Sequence, residues 1–259
     1  DLHSFPTRRS SDLRTLFLFL FLFLNSCVFV KNAPSGEYAR IPVKTGDYIL
    51  LSRQKIKNPG AAVKIYIEGD GNAYDKYGNP SGNPTPRSRF VRNLAFKDPS
   101  DNVVYLARPG QFIKISGKKR HEWSCERFSQ KNIDNLTQAL KEIAGDNEII
   151  LIGYSASALL TGIIINQNPD LKVKEWITIA GLFNHGEWTR HFNYLPLKNC
   201  KDLNSLPDIR QMHFIGKKDR VIPYTLSIKR LPEKSVVLVE KAGHNKGFEA
   251  IYGIIWDKK

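Results

Sequence analysis

Residues 148–152 and 156–166 are two apolar runs separated only by Gly153-Tyr154-Ser155, and no other stretch of the chain constrains its fold as tightly. The first run reads Glu-Ile-Ile-Leu-Ile, so a strand formed there is apolar on both pleated faces. Such a strand belongs inside a parallel sheet covered on both sides. The second run is long enough for a helix and apolar nearly all round, which fits a helix with little solvent contact. A buried strand that turns within three residues into a buried helix requires a layered α/β core.

The rest of the chain continues the alternation. Residues 41–43 and 48–52 flank Lys44-Thr45-Gly46-Asp47 and are expected to pair as an N-terminal β-hairpin. Residues 62–67, 102–107, 173–179, 211–215 and 235–239 read as further strands. Residues 129–143 carry Ile133, Leu136, Leu140 and Ile143 at the spacing of an amphipathic helix, and 248–256 reads as a closing helix. The expectation is one α/β domain over residues 38–259, a mostly parallel sheet with helices on both faces. A Gly/Asn/Pro-rich loop runs from 72 to about 86, and a His-, Trp- and Asn-rich insertion occupies 181–208. That insertion, with Asn184, His185, Trp188, Thr189, His191 and Tyr194, is expected to form an aromatic, partly polar lip beside a substrate pocket.

The first 26 residues are of a different kind. Residues 1–13 have no structural periodicity and no start Met before them, and they read as one frame of a sequencing adapter. Arg14 then precedes the Leu/Phe run 16–24, too short to span a bilayer but suited to the apolar core of a secretory signal. Leu24-Asn25-Ser26-Cys27 resembles a bacterial lipobox, which implies a signal peptide over 14–26 and a lipid anchor on Cys27. Cleavage without lipidation is the competing reading. Either way the chain is expected to be exported to a bacterial envelope, facing the periplasm or the exterior.

The formal charge is +14, and +13 without the first 26 residues, which hold three Arg and two Asp. The lysines are scattered and no nucleic-acid motif accompanies them, so a solvated basic surface is expected and no nucleic-acid partner. Cys125 and Cys200 remain as a pair that either bridges or stays reduced, since spacing in sequence does not bring them together. No Cys/His cluster has metal-binding spacing, and neither metal nor cofactor is expected.

The chemistry concentrates at strand ends. Gly153-Tyr154-Ser155-Ala156-Ser157 lies where the buried strand meets the buried helix, a turn that would lift the Ser155 hydroxyl clear of the sheet. Gly216-Lys217-Lys218-Asp219-Arg220-Val221-Ile222-Pro223 follows the strand at 211–215, and Gly243-His244 follows the strand at 235–239. Each has a plain alternative, Ser155 as a helix cap, Asp219 as a turn residue and His244 as a surface side chain. Together they resemble the nucleophile elbow, acid turn and Gly-His turn of the α/β-hydrolase superfamily, in that family's order, Ser then acid then His. Ser157 departs from the family's usual Gly. With Glu68-Gly69-Asp70-Gly71, Asn83-Pro84-Thr85-Pro86-Arg87 and Ala107-Arg108-Pro109, the likeness extends over most of 62–256, and the chain resembles a group of exported bacterial hydrolases of undefined substrate.

The resemblance implies a catalytic triad of Ser155, Asp219 and His244, with backbone N–H groups of Ala156 and of Asp70 or Gly71 as oxyanion donors. Tyr154 and Trp188 are expected to line the substrate site. Arg87 and Arg108 either bind a substrate carboxylate or phosphate or simply brace loops. Two functions stay open: a serine hydrolase acting on ester or thioester acyl groups, or a non-catalytic envelope lipoprotein that keeps the fold as a binding module.

Overall fold

The computed structural model describes residues 37–46, 48–75, 77–114 and 119–257. The adapter-like stretch, the leader and Cys27 lie outside the described residues. One eight-stranded sheet organises what remains: β1 (Ala39–Thr45), β2 (Tyr48–Ile56), β3 (Val63–Ile67), β4 (Asn102–Leu106), β5 (Ile149–Tyr154), β6 (Val173–Ile179), β7 (Arg210–Gly216) and β8 (Val236–Val239). Their spatial order is β1-β2-β4-β3-β5-β6-β7-β8. β1 pairs antiparallel with β2, and β2 antiparallel with β4, while the other neighbours run parallel. The N-terminal hairpin therefore exists, with both strands longer than the residues at 41–43 and 48–52.

The buried strand occupies the middle of this sheet. Ile149 and Leu151 point into one apolar cluster, with α2 (Gln130–Ala144) and α3 (Ala156–Gln167). Ile150 and Ile152 point into the other, with α1 (Phe90–Lys97) and the C-terminal residues Phe248, Ile251 and Ile255. This is the period-2 alternation of a strand covered on both faces. Ten of the 12 residues of α3 are buried, as its largely apolar sequence requires. Each large aliphatic side chain so buried contributes about 1.5–3 kcal/mol.

Three short helices complete the fold: α4 (His185–His191), α5 (Tyr224–Ile228) and α6 (Tyr252–Trp256). The closing segment is not one helix, because a 3-10 turn at Glu249–Ile251 precedes α6. α1 had a readable signal in Phe90, Val91, Leu94 and Ala95, the four residues it buries. β3 also holds a charge inside an otherwise apolar strand. Lys64 donates to the carbonyls of Ile255 (3.1 Å) and Trp256 (2.7 Å) and lies 3.5 Å from the Asp98 carboxylate. The carbonyls at a helix C-terminus lack partners within the helix, so they suit a buried ammonium.

His213 of β7 is fully buried between Thr178 Oγ1 (2.8 Å) and Gln211 Oε1 (2.9 Å). Burial pushes its pKa down to about 3. The unfolded chain therefore binds a proton that the folded chain refuses, and stability falls as pH drops from about 6.5 towards 3. At about pH 5 this should cost about 2 kcal/mol relative to neutral pH. Urea unfolding of His213→Gln should show a deficit against the parent that shrinks between neutral pH and about pH 5; a deficit independent of pH would contradict a neutral buried imidazole.

Candidate active site

β5 ends at Tyr154 and α3 starts at Ala156, which leaves Ser155 alone on the turn with φ 54° and ψ −123°. A non-glycine residue occupies that region only when its surroundings enforce it. The Ser155 N–H donates to Ile179 O (2.9 Å), and its carbonyl accepts from Ala158 (3.1 Å) and Leu182 (3.0 Å). Gly153 permits the tight return of the chain, since a Cβ there would sit 2.8 Å from the Ser157 carbonyl oxygen and from Thr161 Oγ1. The close approach thus falls on Gly153. Residue 157 is free to carry a side chain, and the Ser157 hydroxyl donates to the carbonyl of Glu68 at the end of β3. The departure from Gly at 157 is a tie between the elbow and the neighbouring loop.

Ser155 Oγ lies 3.0 Å from His244 Nε2, and His244 Nδ1 lies 2.8 Å from Asp219 Oδ2. The other Asp219 oxygen accepts the N–H groups of Val221 (2.8 Å) and Ile222 (2.9 Å), so its own turn fixes the carboxylate. The acid and histidine turns are bound together: Lys218 N–H donates to Ala242 O at 2.8 Å. A Cβ on Gly216 would stand 2.7 Å from that same oxygen, which is why the acid turn opens with glycine. Tyr154 packs its ring 5.2 Å from the His244 ring and donates its hydroxyl to the His244 carbonyl (3.2 Å). Ser155 and Asp219 are nearly buried, at 8% and 6% exposure.

These groups open into a cleft of about 430 Å³ lined by Asp70, Gly71, Tyr154, Ala156, Arg87 and Trp188 among others. In the loop after β3, the Glu68 N–H donates to Leu106 O, the Gly69 N–H to Glu68 Oε1 and the Asn72 N–H to Pro84 O. The N–H groups of Asp70 and Gly71 donate to no other described residue, and Ala156 heads α3, where the first N–H groups have no helical acceptor. The two glycines serve packing as well as approach. A Cβ on Gly69 would press Ser155 Cβ at 3.1 Å, and Gly71, at φ +63°, turns its open side to the Pro84 carbonyl.

Two expectations are corrected here. Arg108 is 5% exposed, spends its guanidinium on the Asp70 carboxylate and the Arg127 carbonyl, and does not line the cleft. With Nη1 on the Asp70 carboxylate and Nη2 on the Arg127 carbonyl, its guanidinium braces the loop. The lip formed by the 181–208 insertion reduces to Leu182 and Trp188; the Trp188 indole N–H donates to Val221 O (2.7 Å), and both side chains line the cleft. Asn184 caps α4, His185 is paired with Asp202 at 2.7 Å, and Tyr194 stacks on Phe192. Cys200 Sγ donates to Cys125 O at 3.1 Å, and both cysteines are free thiols in this structure.

Glu68, Tyr74 and Arg127 escaped the reading of the sequence as individual site residues. Glu68 is fully enclosed, accepting from Tyr105 Oη (2.9 Å) and the Gly69 N–H (3.1 Å), and burial raises its pKa to about 7. Its one local signal is a carboxylate abutting an apolar strand. Arg127 has none, since the side chains it meets, Asp70 and Tyr74, lie far away in sequence.

No family model matches the chain, and no curated protein is similar to it in sequence. Solved structures do match. A lid-less α/β serine hydrolase from Xanthomonas campestris aligns over 88% of this chain and 94% of its own, with a TM-score of 0.52 and 13% identity. An α/β serine hydrolase homologue from Coxiella burnetii aligns over 88% and 97%, with TM-score 0.53 and 13% identity. The thioesterase domain of the curacin biosynthetic pathway aligns over 85% and 98%, with TM-score 0.52 and 12% identity. At such identities the likeness concerns architecture, and the fold is that of the α/β-hydrolases.

Ser157→Ala should remove the tie to Glu68 and lower stability by about 1–3 kcal/mol, because a buried carbonyl loses a donor. Chemical denaturation reads this directly, and an unchanged midpoint would mean that the hydroxyl contributes nothing to the elbow.

Proposed function

We propose that the protein is a serine hydrolase that transfers acyl groups from ester or thioester substrates to water through Ser155. The observation that carries this reading is the continuous chain Ser155 Oγ–His244 Nε2, His244 Nδ1–Asp219 Oδ2, at 3.0 and 2.8 Å, opening into a cleft. The strained backbone at Ser155 adds to it, since such strain clusters where function demands it.

His244 takes the Ser155 hydroxyl proton as Oγ attacks the acyl carbonyl carbon. A C–O bond to Ser155 forms, and the carbonyl oxygen takes up the negative charge. The N–H groups of Ala156 and of Asp70 or Gly71 are the donors assigned to that oxyanion. Collapse breaks the bond to the leaving alcohol or thiol, which receives the proton from His244. Water then attacks the acyl-enzyme with His244 again as base, releasing the acid and restoring the Ser155 hydroxyl. Asp219 keeps Nδ1 protonated, so that Nε2 faces the serine as acceptor. Attachment through a lipidated Cys27 would set this chemistry at an envelope membrane, with acyl or lipid-like substrates at hand.

A fluorophosphonate probe should label the folded protein and spare Ser155→Ala. Folded parent protein that takes no label would overturn catalysis and leave the binding-module reading. Asp219→Asn should keep the fold while kcat on a short acyl ester falls on the order of 10³–10⁴-fold, through loss of the productive His244 tautomer.

A further inference from the structure

The cleft has two chemically different sides, and the strand order explains why. β3 neighbours β5 on one side, and β6 then β7 lie on the other, so Ser155 stands between loops of different origin. The side that follows β6 and β7 supplies Leu182, Trp188, Val221 and Ile222. The side that follows β3 supplies Glu68, Asp70, Asn72, Tyr74, Arg87 and Ser88, with Arg127 behind them.

That second side holds more cation than anion. Arg127, 2% exposed, places Nε 2.8 Å from Asp70 Oδ2 and donates from Nη1 to Tyr74 Oη (3.0 Å) and Ser124 O (2.8 Å). Arg108 binds the other oxygen of the same carboxylate. Two buried guanidinium groups thus share one carboxylate. Glu122, a buried carboxylate in the same region, is engaged by Lys131 at 2.8 Å. Glu68 is turned to Tyr105 and Gly69, and at a pKa of about 7 it holds its proton for much of the time at neutrality. Arg87 adds an exposed cation at the cleft and pairs with no other described residue. Buried charge without a counter-charge is unfavourable, and an anion entering the cleft would supply it. Tyr74 is suited to help: its oxygen accepts from Arg127, while burial raises its pKa and leaves the hydroxyl proton available to a ligand.

We propose that the substrate carries an anionic group, a carboxylate or a phosphate, held by Arg127, Tyr74 and Arg87 while its apolar part lies against Trp188, Leu182 and Ile222. This rests on Ser155 being the nucleophile. The anion has two chemical sources, the far end of the acyl chain or the leaving alcohol.

Two matched pairs of substrates separate them. One pair is a thioester of glutarate with a free terminal carboxylate and its methyl-capped neutral form. The other is a butyryl ester of glycerol phosphate and butyryl glycerol. In at least one pair kcat/KM should favour the anionic member by roughly 10- to 100-fold, the range of a hydrogen bond to a charged group. The winning pair identifies the source. The preference should collapse in Arg87→Gln, which is exposed and spares the fold, and in Arg127→Lys, which retains charge but loses the fork. Equal or better turnover of the neutral member in both pairs, with Ser155 still labelled by fluorophosphonate, overturns the anionic preference and leaves catalysis standing. A preference that survives both variants overturns the assignment to these arginines. Absence of labelling in folded protein overturns the catalytic reading, and this proposal falls with it.

Discussion

The close return of the chain at Gly153 against the backbone of Ser157 underlies the whole site. With that contact, β5 passes straight into α3 and Ser155 is pushed into a left-handed conformation that only neighbouring hydrogen bonds can hold. The same return carries the Ser157 hydroxyl to the Glu68 carbonyl, so the elbow and the loop after β3 form one unit. Position 157 shows how a packing constraint differs from a residue preference. The space is demanded at 153, and at 157 a small polar side chain is useful as well as tolerated.

A second layer of constraint is electrostatic. The parallel strands end on one side of the sheet, and several charged groups gather there: Glu68, Arg108, Arg127 and Asp219 within the core, and Asp70 half-buried beside them. Burying them singly would be costly, so each is met by a backbone amide, a hydroxyl or an opposite charge. Asp219 is the simplest case. Its turn satisfies one oxygen and His244 the other, and the imidazole can present only Nε2 to Ser155. The second arginine on Asp70 breaks this neutrality and gives one flank of the cleft its positive character.

Much of the architecture could be read from local pattern. The strands β5 and β6, the helices α2 and α3, and the order serine, acid, histidine follow from apolar runs and glycine-bearing turns, whose physical requirements act within a few residues. Short helices such as α4 and α5 left no such trace, because seven or five residues cannot hold a helix without tertiary support. Arg87 and Arg108 looked alike in sequence, two arginines near prolines in loops. One lies exposed at the cleft and the other is locked onto Asp70.

That difference marks the boundary between the two sources of information. Backbone geometry at a strand-to-helix turn depends on residues next to one another, and so Ser155, the small residues around it and its place between a buried strand and a buried helix were present in the chain itself. The partner of a long polar side chain depends on which loops the sheet brings side by side. β3 lies next to β5 only in space, and the sharing of Asp70 by Arg108 and Arg127 exists only once that adjacency is made. Packing across the sheet therefore chose the charge of the cleft, because electrostatic pairing acts between neighbours in space whatever their separation along the chain.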